Sequence, residues 1–243
     1  MDNRTVAPYG SWKSPVSAEM VASSPIYLTH WISQLYVDGD ELYALHIRPD
    51  EEGRGVVIRV KNDGSIEDLT PMPFSVRSRV YEYGGSGFVV KDDVIYFSNF
   101  PDDRVYKQII GDQPVPITAE GDVRYGDMVL DHIRNRIICV REDSTNHSEP
   151  RHSIAAVNLD GDEFGTVLFE QTDFVSRPAI SLDGRKIAWF AWNHPNMRFY
   201  ISSVWIADIE GDGRLSNIQE IVPEGDEAIL DVQWSHNGDL IFC

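Results

Sequence analysis

Ser181-Leu182-Asp183-Gly184-Arg185-Lys186-Ile187-Ala188-Trp189-Phe190-Ala191-Trp192 decides the fold. Asp183-Gly184 reads as a tight hairpin turn, because both residue types tolerate positive φ. Ile187 to Trp192 is then a run of β-branched and aromatic residues, the composition of a strand. The same sequence of turn and strand recurs on either side. Asp38-Gly39 precedes Leu42 to Ile47, Asp93 precedes Val94 to Phe97, and Asn135 precedes Ile137 to Val140. Asn237-Gly238 opens the last unit, after Ile229 to Trp234. Taken as markers, Gly39, Asp93, Asn135, Gly184 and Gly238 lie roughly 54, 42, 49 and 54 residues apart, close to the length of a four-stranded propeller blade.

A third strand and its turn repeat in step with the first two. Val56 to Val60 runs into Asn62-Asp63-Gly64, Ile154 to Val157 into Asp160-Gly161, and Val204 to Ala207 into Glu210-Gly211-Asp212-Gly213. Val105 to Ile110 is the corresponding strand of the second unit. The expectation is an all-β propeller of four-stranded blades over roughly 26–70, 78–118, 124–170, 176–222 and 228–243, after an amino-terminal segment 1–25. That segment carries the one helix signal: Ser14 as cap, Pro15 at the first helical position, and Val16, Met20 and Val21 on one face. The fifth unit stops within its second strand at Leu240-Ile241-Phe242-Cys243, giving about four and a half blades. An incomplete ring exposes apolar blade faces and unpaired edges, so the expectation is a fragment or a gene cut short.

Composition narrows the function classes. Hydrophobic residues make up 42% of 243, enough for a sizeable core. A net charge of −18 repels phosphate backbones and argues against nucleic acid as a partner. No apolar run is long enough to cross a bilayer, and Met1-Asp2-Asn3-Arg4 does not open a secretory signal, so a cytoplasmic location is expected. Cys139 and Cys243 read as isolated thiols rather than a disulfide framework or a zinc pair.

Ala7-Pro8-Tyr9-Gly10-Ser11-Trp12-Lys13-Ser14-Pro15, followed by Ala18-Glu19-Met20-Val21, resembles the start of the dipeptidyl aminopeptidase/acylaminoacyl-peptidase branch of the prolyl oligopeptidase (S9) family. Arg79-Val80-Tyr81-Glu82-Tyr83-Gly84-Gly85 resembles that family's glutamate-tyrosine-glycine signature. Tyr96 to Phe100, Arg141-Glu142-Asp143, His194-Pro195-Asn196-Met197, and the turns Ser181 to Gly184 and Trp234 to Gly238 also match. The sequence departs from the pattern at Ser86, where a third glycine is common, and at Arg198-Phe199-Tyr200, where relatives tend to carry proline and tryptophan. The resemblance implies a propeller that caps an α/β-hydrolase domain, admits short peptides and contributes contacts to them. The hydrolase domain, with its Ser, Asp and His triad, would follow the propeller and is absent from these residues.

Catalytic patterns are scarce. Gly84-Gly85-Ser86-Gly87-Phe88 misses the nucleophile elbow at its last position and lies on an expected blade strand rather than on a strand-to-helix turn. Asp208, Glu210, Asp212 and Gly213 begin like a calcium loop, but Gln219 stands where a bidentate glutamate belongs. His147 and His152 read as solvated loop residues, and the other histidines lack ligand spacing. No metal and no cofactor are expected, and residues 1–243 alone should hydrolyse nothing. Trp189, Trp192, Trp205 and Trp234 read as blade core.

The candidate functional residues are Arg79, Glu82, Arg141 and Glu142. Facing a central channel, a carboxylate would pair with a peptide ammonium and a guanidinium would clamp its carboxylate. The other reading is that these arginines and glutamates pair with one another, or with loop backbone, to fix blade geometry. At the level of the whole chain, the alternative to a peptidase propeller is a non-enzymatic TolB- or WD-type propeller that binds partner proteins.

Overall fold

The computed structural model describes residues 8, 10–11, 31–145, 148–225 and 228–243. The helix expected around Ser14 to Val21 lies outside the described residues. Among the described residues, all regular structure beyond two short 3-10 turns is β.

Strands follow one another in sequence and pair with their immediate neighbours, so each sheet is an antiparallel meander. The first sheet holds β1 (Trp31–Asp38), β2 (Glu41–Arg48), β3 (Arg54–Val60) and β4 (Ile66–Asp68). The second holds β5 (Phe88–Lys91), β6 (Val94–Ser98), β7 (Val105–Ile109) and β8 (Val115–Pro116). The third holds β9 (Val123–Asp131), β10 (Arg136–Asp143), β11 (Arg151–Asn158) and β12 (Thr166–Phe169). The fourth holds β13 (Phe174–Ile180), β14 (Lys186–Trp192), β15 (Ser203–Ile209) and β16 (Leu215–Val222). A two-stranded fifth sheet holds β17 (Val232–Trp234) and β18 (Leu240–Phe242).

The turns between first and second strands need left-handed backbone, which Gly, Asn and Asp supply. Gly39 has φ 60°, Asp92 and Asp93 have 48° and 60°, Asn135 has 51°, Gly184 has 66° and Gly238 has 83°. These are the marker turns of the sequence.

The radial arrangement follows from which strands meet. β1 contacts β5, β5 contacts β9, β9 contacts β13, and β13 contacts β17. The first strand of each sheet therefore lies on the inside, and the sheets fan outward from it. Between successive sheets sit four apolar layers. Tyr43, Leu45 and Val57 pack on Phe88, Ile95 and Phe97. Val89 and Tyr96 pack on Tyr125, Ile137 and Cys139. Ile138, Val140 and Ile154 meet Val175, Ile187 and Trp189. Ala188, Phe190 and Trp192 meet Ile229 and Val232. β14 shows why its sequence is apolar throughout: odd positions face the third sheet and even positions the fifth, so both faces are buried. This is propeller packing, in which a blade is stabilised by its neighbours.

Because strands alternate in direction, one end of the ring collects the connections between sheets together with those after β2, β6, β10 and β14. That end carries the functional candidates.

Candidate substrate channel and its charged cluster

A cavity of about 830 Å³ runs along the inner strands. Residues 33–36 of β1, Tyr83 to Ser86 ahead of β5, Asp127 to Val129 of β9, Arg177 to Ile180 of β13, and Asp231 and Gln233 beside or on β17 all line it. The first, third, fourth and fifth sheets contribute strand residues and the second contributes the loop that leads into it, as expected of a central channel. Its volume falls within the ~300–1,000 Å³ of small-ligand sites.

Asp127 organises the wall. It takes left-handed φ of 48° at the β9 irregularity, which turns its carboxylate across the ring. One oxygen accepts from the Ser86 N–H at 2.9 Å; the other accepts from the Ser176 hydroxyl at 2.6 Å and the Arg177 N–H at 3.1 Å. A side chain at Gly85 would place its Cβ 2.5 Å from the Asp127 Oδ1 atom, so this approach depends on glycine. Ser86, the near miss for a nucleophile, is thus part of a loop tied to Asp127.

The four sequence candidates separate into two groups. Arg79, Glu82 and Glu142 gather around Arg124, at the start of β9. Arg124 donates to Glu82 at 2.6 Å, to Glu142 at 2.9 Å and to the Arg79 carbonyl at 3.2 Å. Arg79 itself is paired to Asp103 through both its Nε and Nη2. Arg141 turns elsewhere, donating to the Phe164 carbonyl at 2.9 Å and to Asp143 at 2.7 Å. Arg141 and Glu142 stand on the second strand of their sheet, one position out from the innermost.

Glu142 is 2% exposed and fully engaged. Its Oε2 accepts from the Tyr81 N–H at 2.7 Å and lies 3.1 Å from the His152 Nε2, while its Oε1 takes Arg124. Burial works to raise its pKa, but these hydrogen bonds and the Arg124 charge outweigh it and hold the carboxyl below its ordinary value. Tyr81 completes the cluster. Its ring lies 4.5 Å from His152, and its hydroxyl donates to the Val175 carbonyl at 2.6 Å and accepts from the Val175 N–H at 3.1 Å. Tyr81 and Glu82 both have positive φ, 57° and 65°, so the signature turn is a sharp one.

Sequence reasoning missed Arg124, Asp103 and Asp127, which belong to no motif. It also misplaced His152, which is a buried residue of β11 rather than a solvated loop histidine. Its strand, reading Ser153 to Val157 as buried throughout, was the available signal. His147 lies outside the described residues. The Asp208 to Gly213 segment is a hairpin whose carboxylates bind Lys186, Asn217, Arg214 and Ser216. Among the described residues, no group of three or more His, Cys, Asp or Glu is placed to hold a metal ion. No helix among them is long and apolar enough to cross a membrane.

This geometry defines a β-propeller with a lined central channel. No protein-family model and no curated protein matches the chain. Solved structures do. A serine-to-alanine variant of puromycin hydrolase complexed with PGG is 32% identical, with a TM-score of 0.84, over 97% of this chain and 38% of that one. A puromycin-hydrolyzing peptidase of Mycobacterium tuberculosis is 31% identical, with a TM-score of 0.82, over 98% of this chain and 38% of that one. TolB from Acinetobacter baumannii, 16% identical with a TM-score of 0.52 over 85% of this chain and 47% of that one, shares the fold alone. The chain belongs with the propeller portion of the prolyl oligopeptidase (S9) peptidases. It spans 38% of the length of the puromycin hydrolase it matches.

Proposed function

We propose that this chain is the substrate-gating propeller of a peptidase, working with an α/β-hydrolase domain that performs the cleavage. The observation that carries this is the cavity lined by four of the sheets and by the loop leading into the remaining one, in a chain similar over 97% of its length to a hydrolase crystallised with PGG. A bore of that size admits extended short peptides and turns away folded chains. We take residues 1–25 as a leading segment, 26–243 as the propeller with the blade limits given above, and the cytoplasm as its location. Membership of the dipeptidyl aminopeptidase/acylaminoacyl-peptidase branch is part of the same proposal.

Residues 1–243 should bind short peptides in calorimetry and leave them intact. Turnover of aminoacyl or peptidyl chromogenic substrates that a fluorophosphonate abolishes would overturn the division of labour. Absence of any short-peptide binding would overturn the gating role.

A further inference from the structure

The channel carries a charge pattern opposite to that of the chain. Overall there are 21 Lys and Arg against 39 Asp and Glu. The charged residues lining the cavity are instead Arg77, Arg177 and Arg198 against Asp127 and Asp231. Both aspartates are already engaged. Asp127 is held by Ser86, Ser176 and the Arg177 N–H, and Asp231 by the Arg177 guanidinium at 3.2 Å and the Val232 N–H at 3.0 Å.

Arg77 and Arg198 differ from most of the arginines, and among the described residues they share the lack of an ion pair only with Arg151 and with Arg104, whose guanidinium donates to the Thr118 carbonyl, neither of which lines the cavity. Arg48, Arg54, Arg79, Arg124, Arg134, Arg136 and Arg141 are all paired with carboxylates. Among the described residues, neither Arg77 nor Arg198 has a carboxylate partner. Each lies over an aromatic ring instead: Arg77 is 4.9 Å from the Phe100 centroid and Arg198 5.3 Å from that of Tyr83. Stacking on a ring orients a guanidinium through its face and leaves the N–H edge available. A planar fork held in this way matches a carboxylate, which it can take with two parallel bonds. Two such forks open on one cavity in a protein with a large acidic excess.

We propose that the channel binds the carboxylate of a peptide through Arg77 and Arg198, and so selects among the short peptides it admits. This rests on the gating reading and adds the chemical group recognised. The same chemistry can come from a terminal carboxylate or from an acidic side chain.

Three probes separate the cases by calorimetry on residues 1–243: N-acetyl-triglycine, N-acetyl-triglycine amide, and N-acetyl-Gly-Asp-Gly amide. The acid should bind at least about tenfold more tightly than the amide, the scale of one charge-assisted pair, with the difference shrinking as salt is raised. If the aspartate peptide binds like the acid, the forks accept any carboxylate; if it binds like the amide, they require the terminal one. Arg77→Gln and Arg198→Gln should each weaken the acid and leave the amide unchanged, and Arg198→Lys should restore only part of the loss. Equal affinity for acid and amide would overturn the inference while leaving the gating reading in place. Binding of none of the three would overturn both. The comparison of acid with amide uses the unaltered protein and so does not depend on any variant folding.

Discussion

Replacing Glu142 with glutamine isolates the charge of the cluster without changing its shape. Three donors converge on this carboxylate: the Tyr81 N–H, the His152 ring and the Arg124 guanidinium. A carboxylate accepts on both oxygens, whereas an amide presents one oxygen and one NH2. In either orientation the NH2 group faces at least one donor, and the surviving bonds lose their charge assistance. Breaking a fully buried ion pair costs about 3–5 kcal/mol. Arg124 is less buried, with 24% of its side chain exposed, and it keeps Glu82 as a partner. The expected loss is therefore smaller, about 2–3 kcal/mol, near the value of one charged hydrogen bond together with one unmet donor. For a chain of this size that corresponds to a fall in Tm of about 5–10 °C. Chemical and thermal denaturation near neutral pH measure it. Glu82→Gln provides the contrast: its side chain is 78% exposed, so its pair with Arg124 should contribute less than about 1 kcal/mol. If the two substitutions destabilise equally, or if Glu142→Gln shifts stability by less than about 1 kcal/mol, the cluster does not brace the propeller as described.

Other outcomes follow from neighbouring contacts. Tyr81→Phe removes the hydroxyl that satisfies both the N–H and the carbonyl of Val175, and should cost about 1–3 kcal/mol, read from the same denaturation curves. The depressed Glu142 pKa gives stability that is complete above the ordinary value of 4.5 and is lost as pH falls through the lower folded value. The stability difference between the native protein and Glu142→Gln should accordingly narrow in acid, as titrations of unfolding between about pH 7 and about pH 3 will show. Burial pushes the Cys139 thiol up to about 12, whereas Cys243 is exposed. A disulfide reagent should modify one thiol in the folded protein and two after denaturation; rapid modification of both in the fold would contradict the packing between the second and third sheets.

The fold was legible because its determinants are local. A hairpin turn is written in two adjacent residues, and meandering sheets pair each strand with its successor, so turn spacing alone conveys the order of strands. Ile187 to Trp192 could be recognised as a strand, but its alternation between two apolar layers required the neighbouring sheets to be seen. The site was harder for the converse reason. Glu142 stood out through the Arg141-Glu142-Asp143 match, yet its partners come from the turn before β5, the start of β9 and the start of β11. Arg124 belongs to no motif, and no periodicity marks a residue whose role is to be the meeting point of three segments. Arg77 passes unnoticed in the sequence, and Arg198 is marked there only as a departure from the family pattern. What sets them apart is that they line the cavity with no carboxylate partner among the described residues, which is visible only in three dimensions.

The tie between Tyr81 and Val175 has a mechanical consequence. It joins the turn before the second sheet to the first strand of the fourth, passing over the third, and Asp127 clasps the second and fourth sheets from the third. These three sheets are consequently tied to one another beyond their apolar layers, and a tilt of any one would part these half-buried hydrogen bonds. The joint with the fifth sheet is made differently: the half-exposed Arg177–Asp231 pair, a bond from the Trp234 indole to the Ala179 carbonyl, and two buried bonds between the Ser202 hydroxyl and the backbone of Ile229.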